Sequence, residues 1–507
     1  MNTHKNSSKT HKITLDQIRF AMLFALPAVL FCGYYPLFLL GQNNSMNFKL
    51  SLPLIWLFVF AIISIPTFIR QFKKALKARQ IWPFTIALPL YLSLSIIWSP
   101  NPLRATLTAG IFWCIFISIP SIITITKNIT NKQRKQLIWT ILITSVVFSL
   151  WCWIQCLLDI IGIDRSSTLL CAGCTYQSFG FPHPNGMAIE PQFMGNLLIA
   201  PTLLALWCIK SKLISPKNTR LKILLIAIAF FLCATLFLTF SRGAIYAFGI
   251  GLLVMIVWSI VQKRFHLSQI IIPICAFLFT LCAQGLMATA APTHENFTTG
   301  VTKALHQLSL GVIDIRQTED TSSVEVTEIT ENSEVANTEA VASENTATSA
   351  KPEFSGYVEQ STDVRVNLTN YALRLWTSSP KILIFGTGLG GAGTALNQAF
   401  PEEVTSAKEI VQNQYASLLL ETGIVGILLA GLFLVVAIMQ LWKSQRRPLL
   451  ISILVAYLVS LFFFSGLPSA LQVYLWLPLL DFLVLVASFT NSSVDQDSRN
   501  NDNWQSD

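Results

Sequence analysis

A few residues suited to handling phosphate and protons stand out in a chain otherwise poor in charge. Arg242 lies in the stretch Ser241-Arg242-Gly243-Ala244, between two apolar runs. Arg365 opens a second polar stretch that ends at Trp376 and also holds Arg374. A guanidinium presents five donors in a fixed fork and matches phosphate oxygens. Glu190, beside Pro191, stands at the mouth of another apolar run, with His183 shortly before it. A carboxylate or an imidazole is what a general base requires. Each also has a plainer reading. Arg242 suits a side chain that snorkels to an interface, Arg365 a structural salt bridge, and Glu190 an interfacial anchor.

Arg365 is sharpened by its surroundings. Leu368, Tyr371, Ala372 and Leu375 recur at helical spacing, which predicts an amphipathic helix over 363–377. Arg365 precedes Leu368 by one turn and falls on the apolar face, where a cation needs an anionic partner. Arg374 lies about 180° around the same helix. Glu421 and Asp481 fall inside apolar runs, and buried acids there are expected to pair or to serve a site. Gly386-Thr-Gly388-Leu-Gly390-Gly391 has the spacing of a dinucleotide fingerprint. No parallel sheet is expected to hold it, so the glycines are read as allowing close packing or a re-entrant turn. Cys171 and Cys174 suit a local disulfide. No second ligand pair follows them, so a zinc site is not expected, and neither is any other metal or cofactor.

The elements that must position these residues are membrane spans. The chain is 53% hydrophobic and 12% charged, about half the charge of a soluble domain. Apolar runs long enough to cross a bilayer fall near 20–41, 51–69, 82–98, 105–126, 137–163, 189–209, 221–239, 243–262, 268–287, 415–441, 448–465 and 467–489. Most lysines and arginines cluster in alternate connections, such as Arg70 to Arg79, Lys127 to Lys135 and Lys210 to Lys222. Basic loops stay in the cytoplasm, so both termini are expected there and the candidate residues on the outer side. The net charge of +9 then reflects topology, and no nucleic-acid partner is implied.

The expected architecture is all-α and polytopic. Residues 1–287 carry nine spans, and 288–414 form a large outer loop. Residues 415–489 carry three more spans, and 490–507 form a disordered cytoplasmic tail. Within the outer loop, 317–351 is rich in Thr, Ser, Glu and Ala and has no aromatic residue. Such a composition cannot offset its ordering entropy, so it is read as a disordered acidic insert.

Taken in order along the chain, these segments resemble the O-antigen ligase and O-antigen polymerase superfamily. Leu238 to Ala244 is similar to its Ser-Arg-Gly turn. Arg365 with the following helix and Gly386 to Gly390 is similar to its second arginine and glycine segment. Gln412-Asn413, with Glu421, Gly423 and Gly426, is similar to its next block. The resemblance implies a membrane-integral, GT-C-like glycosyltransferase of the bacterial inner membrane. Its partners would be a glycan donor on undecaprenyl pyrophosphate and a glycan or lipid acceptor. Arg242 and Arg365 would hold the pyrophosphate, with Ser241, Asn413, Glu421 and Arg374 in secondary roles.

One departure matters. Ligases of the family usually carry histidine where this chain has Gln412, and an amide cannot accept a proton at useful pH. Gln412 is then expected to orient the acceptor, with Glu190 as the first candidate base and His183 as the second. The departure favours a polymerase over a ligase. The rival reading is a polysaccharide or other twelve-span transporter, although no repeat relates the two halves.

Overall fold

A computed structural model of the chain describes residues 14–32, 36–43, 46–161, 183–188, 190–209, 219–263, 265–290, 296–309, 354–407, 409–442, 448–465 and 476. Cys171, Cys174, Asp481, the 317–351 insert, the 467–489 run and the 490–507 tail lie outside them.

The described residues form a helical bundle. Its long helices are α1 (Leu15–Phe31), α2 (Leu52–Lys77), α4 (Pro102–Asn128), α5 (Asn131–Ile160), α6 (Pro191–Cys208), α7 (Thr219–Leu238), α8 (Arg242–Val261) and α9 (Ser268–Ala290), followed later in the chain by α14 (Gln414–Trp442) and α15 (Pro448–Ser460). Eight described helices are long and apolar enough to cross a membrane. Their outward faces support that reading. On α2, Phe58, Ile62, Ile65 and Ile69 are exposed at helical spacing, as are Ile143, Val147, Leu150, Ile154 and Leu157 on α5. Stripes of that size suit hydrocarbon, not water.

The apolar run at 20–41 is corrected. Helix α1 starts earlier, at Leu15, and ends at Phe31, while Pro36–Asn43 (β1) pairs antiparallel with Met46–Ser51 (β2). An unbroken apolar run has no period, so hydropathy alone does not separate a strand from a span. Arg19 is buried within α1. Its guanidinium donates to Asp16, Thr67 and the Ile63 carbonyl, which pins α1 to α2. The 82–98 run is also not one long helix. It is α3 (Ala87–Leu94) between two 3-10 turns.

Helix α6 is apolar on every side, and nearly all its side chains from Met194 to Leu206 are buried, so it occupies the centre. Small residues let its neighbours close in. A Cβ at Gly195 would come within 2.9 Å of Ala244 Cβ and 3.2 Å of Ser241 Cβ. One at Gly251 would meet Ala456 at 2.7 Å.

The expected outer loop is largely helical where described. It holds α10 (Phe297–Leu308), α11 (Phe354–Trp376), α12 (Pro380–Phe385) and α13 (Ala392–Ala399). The predicted helix at 363–377 therefore begins earlier, at Phe354. His306 is buried in α10. A separate core of Leu368, Ala372, Ala392, Leu396, Val404, Val411, Ala416 and Leu420 packs α11 and α13 onto the first turns of α14. This small core fixes where Arg365 and Gln412 sit.

Candidate functional site

The turn carrying Arg242 is tight and strained. Helix α7 ends at Leu238 and α8 begins at Arg242, with Ser241 as its N-cap residue. Phe240 between them has φ +49°, a left-handed conformation costly for a bulky side chain. Phe240 is held there by burial against Leu281, Ala288 and Ala304. Ser241 is buried and Arg242 half-buried.

This turn lies against α6, one turn beyond Glu190, through the Gly195 contact. Glu190 is the N-cap residue of α6, yet its side chain makes no capping bond. The Phe193 N–H goes to the Glu190 main-chain carbonyl at 3.1 Å, and Pro191 has no N–H. The carboxylate is turned elsewhere, and Gln192 Nε2 donates to its Oε2. Burial pushes the Glu190 carboxyl above the usual carboxylate range. The Arg365 guanidinium and the Gln192 hydrogen bond pull it partly back.

Arg365 of α11 thus lies within electrostatic reach of Glu190. The helical-face expectation holds, since Arg365 is half-buried on the face of Leu368, Tyr371 and Ala372 while Arg374 is exposed. Tyr371 stacks near Phe400, with ring centroids 5.0 Å apart, which holds α11 down.

Gln412 stands at the head of α14. Asn413 is the cap of that helix, its Oδ1 accepting the N–H groups of Tyr415 at 3.0 Å and Ala416 at 3.2 Å. Gln412 Oε1 is buried and has no hydrogen-bond partner among the described residues.

The sequence reading missed the segment that gathers these parts. Residues 461–465, just after α15, touch three of them. The Gln414 N–H donates to the Leu461 carbonyl at 2.8 Å, and Ser465 Oγ donates to the Val411 carbonyl. Phe464 lies 6.2 Å from Phe193, centroid to centroid, beside Glu190. Gly243 lies under Phe463, so that a Cβ there would stand 2.5 Å from Phe463 Cβ. Glu190, Arg365, Arg242 and Gln412 therefore converge at one end of the bundle. No periodicity marks this segment; its Phe462-Phe-Phe464-Ser465 run looks like more apolar span.

His183 lies deeper. The Gln155 side chain of α5 clasps the turn behind it, donating to the Gly186 carbonyl at 2.9 Å and to Asn185 Oδ1 at 3.1 Å and accepting from the Gly186 N–H at 2.8 Å. His183 is 6% exposed, and burial pushes its imidazole down to about 4.

Glu421 belongs to a different assembly. Its Oε1 accepts from the Ala392 N–H at 3.4 Å, and Arg104 of α4 lies within electrostatic reach. Helix α14 breaks at Gly423, where φ is +59°. The carbonyls freed there are taken by the glycine segment. Thr387 N–H donates to Leu420 at 2.8 Å and Gly388 N–H to Glu421 at 3.0 Å, while Tyr91 Oη donates to Thr422 at 2.8 Å. Gly386 and Gly388 have φ of +74° and +98°. A Cβ at the first would lie 2.4 Å from the Glu421 carbonyl, and at the second 2.5 Å from Ser99 Cα. The glycines thus serve close backbone packing, as a splint on a broken helix.

These features define a multi-pass helical membrane protein with an arginine-bearing polar cluster at one end of its bundle. Residues 227–431 match the model of a family described as O-antigen ligase. Over that stretch the chain is similar to the O-antigen ligase family. The match takes in Ser241, Arg242, Arg365, Arg374, Gln412, Asn413 and Glu421, whereas His183 and Glu190 lie before it. No curated protein matches the chain.

Proposed function

We propose that this protein transfers a glycan from a polyprenyl pyrophosphate carrier, of the undecaprenyl type, to an acceptor hydroxyl during surface polysaccharide assembly. The observation that supports this reading most is that Arg365 lies within electrostatic reach of Glu190, on the helix against which the Arg242 turn packs. The Arg365 guanidinium acts on a carboxyl whose proton affinity burial raises, and the Arg242 turn packs against the same helix at Gly195. The acceptor hydroxyl attacks the anomeric carbon of the donor sugar and gives its proton to Glu190. The bond from that carbon to the pyrophosphate oxygen breaks, and the carrier leaves with the electron pair. Arg242 and Arg365 meet the negative charge that develops on it, with no metal ion required.

Gln412 orients the acceptor in this scheme, since its buried Oε1 lacks a described donor and a sugar hydroxyl supplies one. Glu190 is preferred to His183 as base because it is the more open and lies beside Arg365. With an amide at position 412, the reaction is that of a polymerase extending a repeat-unit glycan. The proposed topology has twelve spans, a GT-C-like plan, both termini in the cytoplasm of a bacterial inner membrane and the site on the outer side.

The test is reconstitution of the full-length protein with a lipid-linked oligosaccharide. Longer chains on the carrier support the polymerase, and transfer to another lipid identifies a ligase. Movement of the intact lipid-linked glycan across the bilayer without new glycosidic bonds would make the protein a transporter and overturn the reading.

A further inference from the structure

Helix α6 opens Glu190-Pro191-Gln192, and its second helical residue turns back on its cap. Glutamate is not a favoured N-cap, and this one leaves its own helix uncapped. Gln192 Nε2 takes one carboxylate oxygen, Oε2. Both residues are half-buried, so the bond is formed where water competes poorly. An amide remains a neutral donor at every accessible pH. It therefore holds the carboxylate without supplying a proton that would compete in the reaction.

We propose that Gln192 is a positioning residue for glycan transfer, anchoring Oε2 of Glu190 and leaving Oε1 to take the proton of the acceptor hydroxyl. This rests on the reading of Glu190 as the base. The elements around that carboxyl carry Arg365 on α11, with Asp363, Tyr371 and Arg374 on the same helix, Arg242 and Tyr246 on α8, and His183 in the turn before α6. Arg365 is the one that bears on it electrostatically, and it favours the carboxylate together with the Gln192 amide. Arg365 supplies charge from another element, whereas Gln192 fixes geometry from the same helix.

The two contributions separate in a pH profile. A hydrogen bond to the charged form lowers a carboxyl's proton affinity, and its loss raises it. Gln192→Met keeps the length of the side chain and removes the donor. The acid limb of the transfer rate should move up by about one pH unit, so the rate lost to the mutation is about tenfold greater below the limb than at alkaline pH. Gln192→Glu adds a like charge and should move the limb further up.

The measurement is glycan transfer by the reconstituted full-length protein between pH 5 and 9, with a lipid-linked oligosaccharide as donor. A wild-type limb in both variants, with any loss of rate constant across pH, would overturn the positioning role and leave Glu190 as base untouched. Glu190→Gln retaining wild-type rate would instead remove the base, and the role of Gln192 with it.

Discussion

Arg365 and Arg374 share one helix and opposite fates, and that contrast organises the residue-scale predictions. Arg365→Ala and Arg242→Ala should each reduce transfer about 100-fold or more, the effect of losing a donor aimed at developing charge, while the protein still inserts. Arg374→Ala, on the exposed face, should stay within a few-fold of wild type, and equal loss at Arg374 would contradict the facing argument. Glu190→Gln should cost at least about 100-fold as the loss of a general base. The pH dependence follows from the sign of the shift. Only the carboxylate accepts a proton, so the rate falls as pH drops through the Glu190 value. Burial sets that value above the ordinary carboxylate range, so the acid limb lies higher than for an exposed glutamate. The arginines and Glu190 were legible in the sequence because charge is rare in an apolar chain. Gln192 was not, because a glutamine two places from a glutamate carries no signal until the side chain is seen to turn back.

At the scale of elements, the glycine segment and the break in α14 act as one piece. Gly386→Ala would force alanine into a backbone conformation (φ +74°, ψ −178°) that essentially only glycine adopts, costing about 1–3 kcal/mol, and would drive its Cβ against the Glu421 carbonyl. It should lower the thermal unfolding temperature in detergent and shift the Gln412 end of α14. Gly110→Ala, where an added Cβ meets nothing within 4 Å, is the matched control. Spacing alone made Gly386 to Gly391 look like a nucleotide fingerprint, and its expected place on the outer side with no parallel sheet to hold it argued otherwise. Close packing was the right expectation. Its partner was hidden, because Gly423 gives no sign in the sequence that the helix breaks there. The 461–465 segment was hidden for a related reason. Its contacts reach back some 50 residues to Val411 and more than 200 to Gly243 and Phe193, and one-dimensional periodicity carries no such information.

For the molecule as a whole, apolar runs found most of the bundle. Ten of the twelve runs coincide with described helical segments, and the exposed stripes on α2 and α5 were implicit in their composition. The β1–β2 pair was missed because the start of β1 continues the apolar run of α1 and β2 falls in the short connection before the next run. Deleting 320–348 should leave glycan assembly intact, as assayed by the length distribution of surface polysaccharide. Loss of assembly would mean that the acidic insert does more than link α10 to α11.

The splint on α14 also bears on how the chain is made. Tyr91 and Gly386 to Gly388, which satisfy the carbonyls freed at Gly423, all precede that helix in sequence. A ribosome working from the N-terminus delivers them to the membrane before α14 leaves the exit tunnel. The helix that cannot satisfy its own backbone is therefore synthesised last of the three parts, and its uncapped carbonyls need never wait in hydrocarbon for a partner still to be translated.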